Sequence, residues 1–186
     1  MSTSVGSDLA EGNPFWEFSI CAYRQKGVDK ALLALQNRLG VDVNMILLCA
    51  WLAYRGSNDN LLTQHLNDAV KLSHKWQLNL VQPIRACREH LKVIINEGGL
   101  VSRNREVVIA LRERIKGNEL DLEALEILSL YELIGSHERG DSSDVDSAIQ
   151  KEQAQKNLNI YFAKVGIEID QLSQIHVISV LDGIFQ

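Results

Sequence analysis

The sequence predicts an all-α protein, a single helical bundle of about seven helices with a C-terminal helical extension. Three observations carry that prediction. Apolar residues recur at three- and four-residue spacing, as in Leu62, Leu66, Ala69, Ser73, Trp76 and Leu80, whereas alternation occurs only briefly, between Val165 and Ile169. Helix stops and starts punctuate the chain at short intervals. Only two prolines interrupt a sequence that is 46% apolar, which fits a folded domain rather than a disordered chain.

Taken in order, residues 1–12 are small, polar and acidic and form a flexible N-terminus. Asn13 caps and Pro14 opens the first helix, since proline lacks an amide hydrogen that would be unpaired there anyway. Phe15, Trp16, Phe18, Ile20 and Tyr23 crowd its faces until Gly27. A second helix carries Ala31, Leu32, Leu35 and Leu39 and stops at Gly40, a residue suited to the left-handed position that ends helices. Asn44 is the expected N-cap of the third helix, with Val43 and Leu48 placed as a hydrophobic staple. From Met45 to Tyr54 no residue is charged, so this helix is expected to be buried on all sides at the centre of the fold.

Beyond the turn residues Gly56 to Asp59, a longer amphipathic helix ends where Pro83 starts another, on which Ile84, Cys87, Leu91 and Ile94 share a stripe. Gly98-Gly99 ends that run, and Ser102 caps a helix with Val108, Leu111 and Ile115. Gly117-Asn118 breaks it from a further helix, Glu119 to Ile134. These elements make residues 13–134 a helical core domain. Residues 135–147, rich in Asp, Ser and Gly, read as an acidic solvated linker. Residues 148–186 form a C-terminal helical pair, docked on the core or bound to a partner. A polar helix leads to Leu158, Tyr161 and Phe162, Gly166 closes it, and Asp170 caps a last helix with Leu172, Ile175, Ile178, Leu181 and Phe185 on one stripe.

Composition narrows the function. With 19 Lys and Arg against 24 Asp and Glu the formal charge is -5, so no nucleic-acid partner is expected. Residues 1–12 lack a signal-peptide pattern, and the apolar run at Met45 is shorter than the roughly 20 residues a membrane span needs. A cytoplasmic protein without membrane contact is therefore expected. Cys21, Cys49 and Cys87 form no CxxC pair and sit in apolar helical contexts, as buried free thiols in a reducing compartment would.

Catalytic signatures are missing from this reading. His65, Asp68 and His74 lack metal-ligand spacing, and Asp141, Asp144 and Asp146 lack the glycine and glutamate of a calcium loop. No cofactor, metal or catalytic residue is assigned, and an enzyme is not favoured. Two functions remain. One is a non-enzymatic protein-interaction module that binds a protein partner or itself. The other is a small-molecule binder or enzyme with an aromatic pocket between N-terminal helices, lined by Trp16, Ser19, Tyr23, Trp51 and Arg55.

Phe15-Trp16-Glu17-Phe18-Ser19, then Tyr23, Gly27-Val28, Leu35-Gln36, and Gly40-Val41-Asp42-Val43-Asn44 followed by Trp51-Leu52-Ala53, resemble a bacterial family of small uncharacterised conserved proteins, a domain of unknown function. The resemblance is clearest from Pro14 to Tyr54 and extends to Ile134, leaving the tail after Gly140 as an addition. It implies a small soluble helical protein and carries over no catalytic residue.

Overall fold

The computed structural model describes residues 10–56, 60–97, 104–134 and 146–186, and among these every regular element is helical. The helices are α1 (Pro14–Arg24), α2 (Val28–Leu39), α3 (Val43–Tyr54), α4 (Asn60–Trp76), α5 (Gln82–Glu97), α6 (Arg105–Ile134), α7 (Ser147–Lys164) and α8 (Gln171–Ile184). A π-helical turn, Gln77–Val81, joins α4 to α5 in one uninterrupted run. Counted that way, the named helices among the described residues are seven. The expected breaks at Gly98-Gly99, the Ser102 cap and most of the 135–147 linker lie outside the described residues.

Helix α3 is the axis of the molecule. Every residue from Val43 to Ala53 is buried, because α1, α2, α4, α6 and α7 all pack against it. A helix surrounded on five sides has no face left for charge, which is why its sequence shows no amphipathic period. Truncating one of its fully buried side chains, Leu47→Ala for instance, removes transfer energy and leaves a void, at a cost of roughly 2–5 kcal/mol. Tyr54 at its end is 48% exposed.

The caps follow from local chemistry. Asn13 Oδ1 accepts from the amides of Phe15 and Trp16, both at 3.0 Å. Gly40 ends α2 in the left-handed region, with φ 67°, and its amide donates to the Gln36 carbonyl at 2.9 Å. The cap of α3 is Asp42 and not Asn44: Asp42 Oδ1 accepts from the Asn44 amide at 3.0 Å, which places Asn44 in the first turn. Either residue type caps well, and the chain takes the earlier one because Val43 is then buried rather than left outside the helix.

Three expected features of the middle of the chain are corrected. Pro83 does not start a new helix. The Gln82 amide bonds to the Gln77 carbonyl five residues back, and this wider turn just before the proline absorbs the amide it lacks. The extra residue slips the apolar stripe: Gln77 and Val81 are buried, and Leu80 is exposed. Gly117 does not break a helix either. It sits inside the 30-residue α6, since a lone glycine costs a helix only about 1 kcal/mol and α5 packs alongside. Of the cysteines only Cys49 is buried, while Cys21 and Cys87 are exposed and all three are free. Cys87 lies on α5, none of whose residues is buried.

The C-terminal helices complete the same core. α7 lies along α3 and α8 along α2. Ala154, Leu158, Tyr161, Phe162, Val177, Val180 and Leu181 join α3 in one apolar cluster. On α8 the stripe differs from the expected one: Val177, Val180, Leu181 and Phe185 are buried, whereas Leu172, Ile175 and Ile178 face outward. Asp170, the α8 cap, also reaches Arg38 on α2 at 2.7 Å.

Candidate functional site

The five residues expected to line an aromatic pocket are not gathered round an opening. Trp51 packs between Phe15 and Tyr131, with ring centroids 5.1 and 5.7 Å away. Arg55 stacks its guanidinium 4.8 Å from the centroid of the Trp51 ring, and both residues are buried. Ser19 is buried and donates to the Phe15 carbonyl at 2.7 Å. Trp16 is half-buried against the core, and Tyr23 is 40% exposed.

An open cavity of about 450 Å³ lies elsewhere, and none of those five lines it. It opens between α2, α3, α4 and α7, beside the start of α5. Leu39, Met45, Val70, Val165 and Ile167 form its apolar walls, and Asp42, Ser73 and Gln77 its buried polar floor. His74, Arg85 and Tyr161 also border it.

The floor is cross-linked. Asp42 Oδ2 accepts from the Ser73 hydroxyl at 2.5 Å, and Asp42 Oδ1 accepts from Gln77 Nε2 at 3.3 Å as well as from the Asn44 amide. Behind it stands Glu126 of α6, completely buried, whose Oε2 accepts from Gln77 Nε2 at 2.8 Å and from Asn44 Nδ2 at 3.0 Å. Its Oε1 has no donor. Burial, and then the charge of Asp42, push Glu126 up to about 10, so at neutral pH it keeps its proton. That proton resolves the orphan oxygen, because a protonated Glu126 can donate to Asp42 whereas an ionised one cannot. Asp42, which already accepts from three donors, lies where it can accept from that proton as well. Tyr161 is pushed up by the same burial and the same Asp42 charge.

Glu126 ends an acidic stripe on α6. Glu119 accepts from Arg85 Nε at 2.7 Å and from Arg88 Nε at 2.5 Å, and Glu123 accepts from Arg85 Nη2 at 2.6 Å. Burial alone would lower Arg85, but the hydrogen bonds and charges of Glu119 and Glu123 outweigh it and hold the guanidinium above its usual range. Glu119 is depressed despite its burial because Arg88 and Arg85 both bond to it, while burial raises Glu123.

Sequence reasoning treated the floor as structure. In the sequence Asn44 reads as a helix cap and Ser73 as a member of an apolar stripe, and nothing marks Asp42, Gln77 or Glu126 as their neighbours. The signal that could have found them is polarity at core positions, Ser73 on the buried stripe of α4 and Glu126 beside Ile127 on α6. Among the described residues no group of three or more His, Cys, Asp or Glu could hold a metal ion, and no helix is long and apolar enough to cross a membrane. Asp146 caps α7, and Asp141 and Asp144 lie outside the described residues.

Comparison with curated proteins and with solved structures gives no match. Residues 14–130 match a family described as a protein of unknown function, DUF2390. The match runs through Asp42, Asn44, Ser73, Gln77, Arg85 and Glu126 and stops before α7, so Tyr161 falls outside it. Because it covers more than half of the chain, the protein belongs to the DUF2390 family.

Proposed function

We propose that the protein is a non-enzymatic helical module that takes a small organic molecule into the cavity between α2, α3, α4 and α7. The observation that supports this reading is the fixed polar floor of an open cavity of about 450 Å³, whose sides mix apolar residues with Gln36, His74, Gln82 and Arg85. Sites for small molecules have that size and likewise hold a few polar groups in fixed positions. Binding is favoured over catalysis because both oxygens of Asp42 already accept from the protein's own donors, which leaves a fixed acceptor rather than a free base. This reading moves the small-molecule site away from Trp16, Tyr23 and Trp51.

Native mass spectrometry of the gently purified protein tests it. A retained small mass that is absent from a Val70→Trp variant, whose added ring fills the cavity, supports the reading. An empty spectrum together with no thermal shift across a metabolite panel overturns it.

A second reading, engagement of another protein or of a second copy, is favoured by the packed pair of α5 and α6. No residue of α5 is buried, and Val93, Val107, Ile109 and Leu111 are exposed there, Val107 at 65%. Exposed apolar side chains of this kind suit association. The net charge of -5 favours a protein over nucleic acid as the partner, and the free exposed thiols of Cys21 and Cys87 suit the cytoplasm. Affinity capture and mass measurement, repeated with Val107→Glu and Leu111→Glu, test this reading. A strictly monomeric mass and no stoichiometric partner overturn it.

A further inference from the structure

Helices α5 and α6 leave one side of their contact uncovered. They run antiparallel: Arg85 pairs with Glu119 and Glu123, and Arg88, further along α5, pairs with Glu119. The half-buried residues Ile84, Leu91 and Ile95 of α5 and Val108 and Ile115 of α6 recur at helical spacing and line the contact. Arg85 and Glu123 mark one side of it, and Lys92, Arg105 and Lys116 share their helical phase. At about 3.6 residues per turn, Cys87 and Ile94 lie roughly 180–200° round α5 from Arg85, and Val107 and Leu111 roughly 120–160° round α6 from Glu123. Seen end on, antiparallel right-handed helices turn in opposite senses, so these four residues share the side away from the charges. Val93 and Ile109 do not belong to it, since Val93 points away from α6 and Ile109 lies with the cations. No residue of α5 is buried, and none of α6 before Glu119. Apart from marginal contacts α5 packs on α6 and on the π turn, so among the described residues nothing covers the apolar side.

The chemistry of that side narrows its occupant. Its edges carry Glu97 on α5 and Arg114 on α6, one charge of each sign, so it is matched to neither an acidic nor a basic partner. The cations that an anionic membrane would require, Lys92, Arg105 and Lys116, lie on the other side. A mostly uncharged apolar side is complementary to itself, which is what a two-fold contact needs. Size points the same way. With 16 residues α5 is about 24 Å long, and two helices side by side span about 20 Å. Two such sides placed face to face cover about 1,000 Å², enough for a specific contact and fitting a reversible dimer rather than an obligate one. The outward stripe of α8, Leu172, Ile175 and Ile178, is one helix wide and offers less than half of that.

We propose that a second copy of this chain covers the apolar side, with α5 and α6 of each copy forming a four-helix bundle about a two-fold axis. The proposal rests on the protein-partner reading above and names that partner. Leu91, Ile94, Leu111 and Ile115 supply the centre of the contact, and Cys87 and Val107 lie toward its ends.

Sedimentation equilibrium of the full chain, from micromolar to near-millimolar concentration, tests this. The weight-average mass is expected to rise from that of one copy toward that of two. Val107→Glu and Leu111→Glu, both at exposed positions, are expected to hold it at one copy, and Lys92→Glu and Ile175→Glu to leave the rise unchanged. Thiol alkylation reads the location in the native protein. Cys87 is expected to react several-fold more slowly at the high concentration, and Cys21 on α1 at an unchanged rate.

The mass of one copy at every concentration overturns the inference. The protein-partner reading then stands if affinity capture brings a stoichiometric partner that Leu111→Glu loses, and falls if it brings none. A mass that climbs beyond two copies overturns the closed two-fold contact. A dimer that survives both Val107→Glu and Leu111→Glu, that is lost to Ile175→Glu, or that leaves Cys87 as reactive as at low concentration overturns the location.

Discussion

Asn157 on α7 and Cys49 on α3 are tied in both directions: Asn157 Nδ2 donates to the Cys49 carbonyl at 2.9 Å, and the Cys49 thiol donates to the Asn157 carbonyl at 3.7 Å. Both residues are buried, and the thiol is held firmly protonated by that burial. A carbonyl has two lone pairs, so Cys49 accepts from Asn157 without giving up its place in the helix ladder. Gln150, two turns earlier, repeats the tie by donating to the Tyr54 carbonyl at 2.9 Å. A helix beyond the family match is thereby fixed in register on the central helix within it.

Asn157→Ala is expected to cost roughly 1–3 kcal/mol, the loss of a buried hydrogen bond plus a small void. Urea unfolding of the two proteins measures it. A difference below about 0.5 kcal/mol would mean that shape alone holds α7 in place.

Removing α7 and α8 by ending the chain at Ile134 is expected to abolish cooperative unfolding. It strips Leu158, Tyr161, Phe162 and Leu181 from the apolar core and leaves a large apolar face in water. Dye binding and a broad, poorly dispersed spectrum are the expected observations. A sharp, cooperative transition in the shortened chain would show instead that residues 13–134 form a domain on their own.

Two glycines inside helices should respond oppositely to alanine. At Gly117 an added methyl meets nothing within 4 Å, so Gly117→Ala should stabilise by about 0.5–1 kcal/mol through helix propensity. At Gly183 the same methyl runs into the Val28 side chain where α8 crosses α2, so Gly183→Ala should destabilise by roughly 1–3 kcal/mol. Thermal melts of both variants check the pair. Equal shifts of the same sign would contradict the helix contact at Gly183.

The fold was legible where burial and periodicity agree. The charge-free run at α3 announces a helix surrounded by others, and the four-three spacing from Leu62 to Ser73 survives as a buried stripe. It was hidden where polar residues sit on buried faces. Gln150 and Asn157 break the apolar period of α7, so their helix reads as polar although that face is buried against α3. The slip at Gln77–Val81 was also hidden, because a π turn changes the phase without changing composition. For the site the obstacle was different in kind. Asp42, Ser73, Gln77 and Glu126 lie up to 84 residues apart in sequence, and only packing of α3, α4 and α6 makes them neighbours. Each alone has an ordinary role as cap, stripe member or solvated charge. The aromatic residues, by contrast, are conspicuous in sequence because they are large, and size is what fills cores.

The carboxyl pair makes stability depend on pH in a direction that can be worked out. Glu126 is raised from 4.5 in the unfolded chain to about 10 in the folded one. Its contribution is therefore fully present below the unfolded value and is lost as pH rises toward the folded one. Between about pH 5 and pH 9 the unfolded state gives up this proton and the folded state keeps it, so stability should fall with rising pH on account of this group. Glu123, also raised by burial, acts in the same direction, and Glu119, depressed by Arg88 and Arg85, acts oppositely and only at lower pH. Glu126→Gln mimics the protonated acid: its amide can donate toward Asp42 while its carbonyl accepts from Asn44 and Gln77. The variant should match the native protein near pH 5 and exceed its stability near pH 9, flattening the fall. Urea unfolding across that range reads the slope directly. Parallel slopes in the two proteins would mean that Glu126 does not hold its proton in the fold.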